Sequence, residues 1–151
     1  MQMRVLLVAL AFTPAWSWVP APVRARLAAR QGGTLYLPAR TPSFYRYRSG
    51  ATIRNGVLEV TFTNRVRVHA GLWRWTNQTF LWRVRPIPAG FDCAAGKQKT
   101  LQMSGNRVYS AGNRAWRCVG RRELEAVDPS GRLPDVGLGY VVASGLNVAG
   151  R

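Results

Sequence analysis

Few side chains in this sequence have the type and spacing for chemistry. Cys93 and Cys118 are its only cysteines, His69 is its only histidine, and six carboxylates stand against 22 lysines and arginines. A structural zinc site takes four nitrogen or sulfur ligands, more than these three side chains provide. A catalytic thiol needs a histidine base, and His69 sits among arginines in a strand-like run. The cysteines therefore read as a disulfide, with two buried free thiols as the alternative. A bridge would close a loop of 25 residues, worth roughly 3–4 kcal/mol through the entropy it removes from the unfolded chain. Glu123 and Glu125 lie two apart, so on a strand they share a face and match a glycosidase acid pair in type. They follow Arg121 and Arg122, which makes charge-matched surface decoration the expectation. No Ser-x-x-Lys, Gly-x-Ser-x-Gly or His-Glu-x-x-His motif occurs, and Gly137-Leu138-Gly139 lacks the third glycine of a dinucleotide loop. The sequence thus assigns no catalytic residue, no metal ligand and no cofactor, and points away from an enzyme.

It offers a binding surface instead. Arg-x-Arg occurs at Arg46 and Arg48, at Arg65 and Arg67, and at Arg83 and Arg85. Residues two apart on a strand face one way. Neighbouring strands would then line up these six guanidinium groups, with Tyr45, Tyr47, Trp82 and Val84 on the opposite, core side. Trp73 and Trp75 flank Arg74 in a segment of loop character, and their rings suit stacking on sugars or bases. A formal charge of +16 attracts polyanions of any kind: nucleic acid, anionic wall polymer or acidic lipid headgroups. A compositional origin competes with this reading. Every basic residue but Lys97 and Lys99 is an arginine, in a chain rich in Ala, Gly, Val and Pro, the bias of a GC-rich genome. Outward strand positions must be polar, and such a genome spells polar as arginine.

The elements that must position these groups are mostly strands. Asn55-Gly56 separates the β-rich runs Ala51–Arg54 and Val57–Thr63, and both residues tolerate the positive φ of a type I′ hairpin turn. Leu58, Val60 and Phe62 then point one way, and Val57, Glu59, Thr61 and Thr63 the other. Val66 and Val68 alternate with Arg65, Arg67 and His69. Thr76–Thr79 reads as a turn into Phe80–Arg85. Thr100–Met103 meets Arg107–Ser110 across Ser104-Gly105-Asn106, Ala111-Gly112-Asn113 turns into Ala115–Val119, and Glu123–Val127 ends the series. This spacing predicts a mainly β domain over residues 34–145: an antiparallel, strongly curved sheet, barrel or sandwich of seven to nine short strands. A short C-terminal helix follows Leu133-Pro134, with Asp135 as N-cap and Gly145 as its stop signal. Residues 146–151 form a frayed tail.

Residues 1–17 have the order of a secretory signal: a basic start to Arg4, an apolar run from Val5 to Phe12, and a small-residue cleavage site at Ala15-Trp16-Ser17. Retention as a membrane anchor is the alternative, although Pro14, Pro20 and Pro22 interrupt the uncharged stretch to Val23. Residues 18–33 form a Pro/Ala/Arg linker in which Val23–Arg30 is either a short helix or extended chain. An exported protein matures where thiols oxidise, in agreement with the cysteine pair. The expected location is therefore extracellular or the cell envelope.

From Leu35 to Ser144 the chain resembles a set of small exported bacterial proteins. The residues that carry the likeness are Leu-Tyr-Leu-Pro (35–38), Phe-Tyr-Arg-Tyr (44–47), Gly-Val-Leu-Glu-Val-Thr-Phe (56–62), Gln-Lys-Thr-Leu-Gln-Met-Ser-Gly-Asn-Arg-Val-Tyr (98–109), Ala-Trp-Arg-Cys-Val (115–119) and Leu-Pro-Asp-Val-Gly-Leu-Gly (133–139). The layout is also similar to the MucB- and LolA-like envelope domains, which implies a curved half-barrel that binds lipids or regulates stress signalling. Residues and resemblance together give one expectation: a non-catalytic secreted or envelope β-domain that binds or scaffolds at the cell surface. Its arginine face would contact anionic polymer or lipid headgroups. Two rivals stand beside it. One is an intracellular nucleic-acid-binding module, and the other a LolA-like carrier of apolar ligands, which requires a deep apolar cavity.

Overall fold

A computed structural model describes residues 13–151. The basic start and apolar run of the expected export signal lie outside those residues. In chain order the described elements are a 3-10 helix (Ala15–Trp18), α1 (Ala21–Arg30), β1 (Tyr36–Pro38), β2 (Tyr45–Arg54), β3 (Val57–His69), β4 (Leu72–Pro86), β5 (Lys99–Met103), β6 (Asn106–Ala111), β7 (Arg114–Val119), β8 (Arg122–Val127), α2 (Asp135–Ala143) and β9 (Gly145–Asn147). Strands β2 to β8 make one antiparallel sheet in the order β2-β3-β4-β8-β7-β6-β5, and β1 pairs with β9 as a separate two-stranded piece.

Alternation decides which face of the sheet is buried. Leu58, Val60 and Phe62 of β3, Phe80, Trp82 and Val84 of β4, and Leu124 and Ala126 of β8 are all inaccessible to solvent or nearly so. Val19, Leu27, Leu35, Leu37, Leu138 and Val142 from the other elements join them in one apolar core. Trp82 donates from Nε1 to the Tyr36 carbonyl at 3.0 Å, which ties β4 to β1. Arg117 on β7 reaches the end of α2, where its Nε donates to the Val142 carbonyl at 3.0 Å and its Nη2 to the Gly145 carbonyl at 2.6 Å. Burial lowers the pKa of that guanidinium. Where β9 meets the sheet, a Cβ on Gly145 would stand 2.7 Å from Trp82 Cη2 and 2.9 Å from Leu124 Cδ1, so the close approach requires glycine.

The fold class agrees with the sequence: mainly β and antiparallel, with a short C-terminal helix. Asn55 and Gly56 adopt φ of +52° and +76°, and their turn sets Arg54 opposite Val57. The sheet is open, with β2 and β5 as its edges, and is not closed into a barrel.

Several local expectations change. Strands β3 and β4 are 13 and 15 residues long, because the expected turn at Thr76–Thr79 is a bulge inside β4. Thr63 pairs with Thr79 and Arg65 with Trp75, so the extra β4 residues loop out opposite Asn64. Thr76 Oγ1 closes the bulge by donating to the Asn64 carbonyl at 3.2 Å. The expected linker holds α1, with Pro22 in its first turn, where a missing N–H leaves nothing unsatisfied. Leu27 of α1 is buried, and so are Ala15 and Val19 on either side of the proposed cleavage point. The expected frayed tail is tied down as well. Leu146 pairs with Leu37, and Val148 is buried. Asp135 is the first residue of α2 and not its N-cap, a position that Pro134 takes; the helix ends at Ala143 with Ser144 as C-cap, and Gly145, the expected stop signal, follows immediately.

Candidate functional site

The three Arg-x-Arg pairs do lie on adjacent strands, but the structure divides them into two sets. On β3 the buried Phe62 fixes the parity, so Thr63, Arg65 and Arg67 face outward. Residues directly opposite share a face. Arg46 lies opposite Thr63, Trp75 opposite Arg65 and Trp73 opposite Arg67, which places all of them on the outer face. There cations and rings interleave. The Arg46 guanidinium stands 4.4 Å from the Trp18 ring centre, Arg65 4.4 Å from Trp73, and Arg48 5.5 Å from Trp75. Phe44 extends the row, 5.6 Å from Trp73. Stacking of this kind holds a guanidinium flat and leaves its edge donors free for an acceptor.

Charge on this face is uncompensated. Among the described residues no carboxylate lies within 4.0 Å of Arg46, Arg48, Arg65 or Arg67, since each ion pair involves Arg83, Arg85, Lys99 or Arg114. Arg65 Nε is enclosed and has no hydrogen-bond partner. Burial, and then the charge of Arg46, lower the Arg65 pKa. Two neighbouring guanidinium groups thus disfavour one another with no counter-charge beside them, which concentrates positive charge at this point of the face.

Arg83 and Arg85 do not join this set. Arg83 Nε donates to Glu59 Oε2 at 2.9 Å, and Arg85 grips Glu123 through Nε and Nη2 at 2.8 and 2.9 Å. Arg83 also lies 3.7 Å from Glu125, and Arg114 Nε lies 2.9 Å from Glu125, at an angle too bent for a hydrogen bond. These groups line an open cleft of about 420 Å³. The expectation that Glu123 and Glu125 decorate the surface therefore fails. The Glu123 side chain is 3% exposed and Glu125 12%, because their cross-strand neighbours on β4 are Arg85 and Arg83 and not the adjacent Arg121 and Arg122. Burial raises the Glu125 pKa against the pull of Arg114, while the hydrogen bonds that Arg85 donates to Glu123 raise that of Arg85. The cleft is a self-neutralised ladder of charges with both glutamates held by guanidinium.

Trp73 and Trp75 are on strand β4, not in a loop. Trp18 and Phe44 were not singled out by the sequence, and both belong to the face. Phe44 stood only as the first residue of the Phe-Tyr-Arg-Tyr run (44–47), with no role attached to it. On the same outer side, the loop between β4 and β5 is fastened to β7. Cys93 and Cys118 are bonded, with Cα atoms 6.1 Å apart, and Trp116 Nε1 donates to the Cys93 carbonyl at 2.6 Å. Comparison with known protein families, curated proteins and solved structures finds no match to this chain.

Proposed function

We propose that this protein is a non-catalytic binding module of the cell surface or envelope, which holds phosphate-bearing or similar anionic groups on the face formed by Arg46, Arg48, Arg65 and Arg67. The observation that carries this reading is the segregation of charge. All six carboxylates have structural employment elsewhere: Glu59, Glu123 and Glu125 in the ladder, Asp135 with Lys99, Asp128 and Asp92 on backbone amides of their own turns. Arg46, Arg48 and Arg65 are left stacked on Trp18, Trp75 and Trp73, and they and Arg67 have no counter-charge. The disulfide supports maturation in an oxidising compartment. The rival carrier of apolar ligands gains nothing from the packing, because the chain's own Val19, Leu27, Leu35, Leu37 and Leu138 occupy the space against the apolar face.

The test is retention of the full chain on immobilised polyphosphate, on phosphatidylglycerol vesicles and on single-stranded DNA across a salt series. Affinity should fall steeply with salt, as counterion release requires, and should weaken in Arg46→Ala and Arg65→Ala. The ranking of the three ligands identifies the source of the anion. An affinity that ignores both salt and these substitutions would sink the proposal.

A further inference from the structure

We infer that the free end of the β3–β4 hairpin enters the interfacial zone of an anionic lipid bilayer; this rests on the anion-binding reading above and selects one source of its ligand. The outermost pairs that flank the hairpin are Tyr45 with Asn64 on the β2 side and Leu81 with Val127 on the β8 side. Residues 66–74 therefore pair only with each other, while the Arg65 N–H still donates to the Phe44 carbonyl at 2.9 Å. The tip stands about five residues past Asn64, on the order of 16 Å at the rise of a strand. A two-stranded arm of this kind has little stability of its own, and a surface that covers it also orders it.

The arm carries most of the exposed apolar surface. Seven large hydrophobic side chains are exposed among the described residues, and Phe44, Val66, Val68, Leu72 and Trp73 are five of them, with Leu72 the most exposed at 60%. Concentration at one protrusion marks an interaction site, whereas single scattered residues would not. Trp73 faces the arginine side, Val66 and Val68 alternate to the opposite side, and Leu72 is at the turn. A protein groove would ask for one apolar face. This arm carries apolar groups on both faces, each beside a basic residue: Leu72 faces His69, Trp73 faces Arg67 and Val66 faces Arg74, with no carboxylate anywhere between Val60 and Phe91. Apolar and cationic groups that share a level match the boundary where acyl chains meet anionic headgroups. Trp73 and Trp75 suit that boundary. Nucleic acid would use the arginines and rings but would leave Val68 and Leu72 in water.

The experiment uses the full, oxidised chain with vesicles of equimolar phosphatidylglycerol and phosphatidylcholine, vesicles of phosphatidylcholine alone, and soluble polyphosphate. Tryptophan emission should shift to the blue and be quenched by acyl-chain nitroxide only with the anionic vesicles, and Trp73→Phe should remove most of that quenching. Leu72→Ser, a neutral change at an exposed position that leaves the core alone, should weaken vesicle partitioning about tenfold while polyphosphate binding stays at the wild-type level. Equal vesicle affinity of Leu72→Ser and wild type, with polyphosphate still bound, would overturn insertion and leave the anion-binding reading standing. Tighter binding to single-stranded DNA than to anionic vesicles would also overturn it. Loss of polyphosphate binding by the wild type would bring down both.

Discussion

Arg46 and Arg65 are neighbours on the outer face of β2 and β3, and the charge of Arg46 makes the Arg65 guanidinium harder to keep protonated, on top of the penalty of its burial. Removing Arg46 relieves that repulsion, which offsets the loss of its contact with the Trp18 ring. Arg46→Ala should therefore leave the unfolding midpoint in denaturant within about 0.5 kcal/mol of wild type, as for most surface changes. The same change should reduce the dependence of polyphosphate binding on the logarithm of salt concentration by about one. A large loss of stability instead would mean that Arg46 serves the fold.

Glu123 makes the complementary case. Its carboxylate is closed off from water and held by the Arg85 fork. Glu123→Ala should destabilise the protein by about 2–3 kcal/mol, because a charge-assisted pair is broken and a donor is left behind. Binding to polyphosphate should not weaken, and the freed Arg85 should strengthen it slightly. Urea unfolding and the salt series, run on the same sample, separate the two effects.

Reduction of the Cys93–Cys118 bond should lower stability by about 3–4 kcal/mol, the entropy released on opening a loop of its length. The loop between β4 and β5 should loosen first. Its peptide anchor on the outer face is the Trp116 indole, which donates to the Cys93 carbonyl. Hydrogen exchange with and without reductant should show new exposure at residues 91–98 before any at β3 or β4.

Asp128 gives the pH dependence a sign. Burial pushes its pKa up, but the Ser130 hydroxyl at 2.6 Å, the Leu133 amide at 2.7 Å and the Ser130 amide at 3.0 Å outweigh burial and hold it below the ordinary 3.8. A depressed carboxyl pKa contributes stability that is present above the unfolded value and is lost as pH falls through the folded one. Glu125, raised by burial, works the other way, adding stability below the unfolded glutamate pKa that disappears as pH rises through its folded pKa. Wild type should therefore lose stability on acidification below about pH 4. Asp128→Asn should be weaker at neutral pH by about 1–2 kcal/mol, with a shallower acid limb, when denaturant midpoints are followed against pH.

Local pattern carried much of the fold. Asn55-Gly56 set the register of β2 on β3, and the alternation of Leu58, Val60 and Phe62 named the buried face, because both signals are complete within a dozen residues. Features that depend on distant partners were invisible. Arg83 and Arg85 look identical to Arg65 and Arg67 along the chain. Only the arrival of β8 beside β4 brings Glu125 and Glu123 against them and removes them from the uncompensated arginine face. Glu123 looked like decoration because its partner is 38 residues away. The Thr76–Thr79 bulge has the residues of a turn, and the difference lies in whether β3 is long enough to continue past it. Helix α1 and strand β9 lack strong local signals, since Leu27 and Val148 are buried by contacts that form only when both chain ends fold onto the sheet.

Arginine in this chain is not one residue but two. A lineage whose codons drifted towards adenine and thymine could exchange exposed Arg26, Arg30 and Arg107 for lysine without structural cost. Arg117 has no such freedom. Two carbonyls at the end of α2 share its planar fork, and an ammonium on a flexible stem cannot reach both in that geometry. The helix terminus thus holds a single codon family in place against genomic drift, and tolerance to lysine, position by position, would sort arginines kept by structure from those kept by composition.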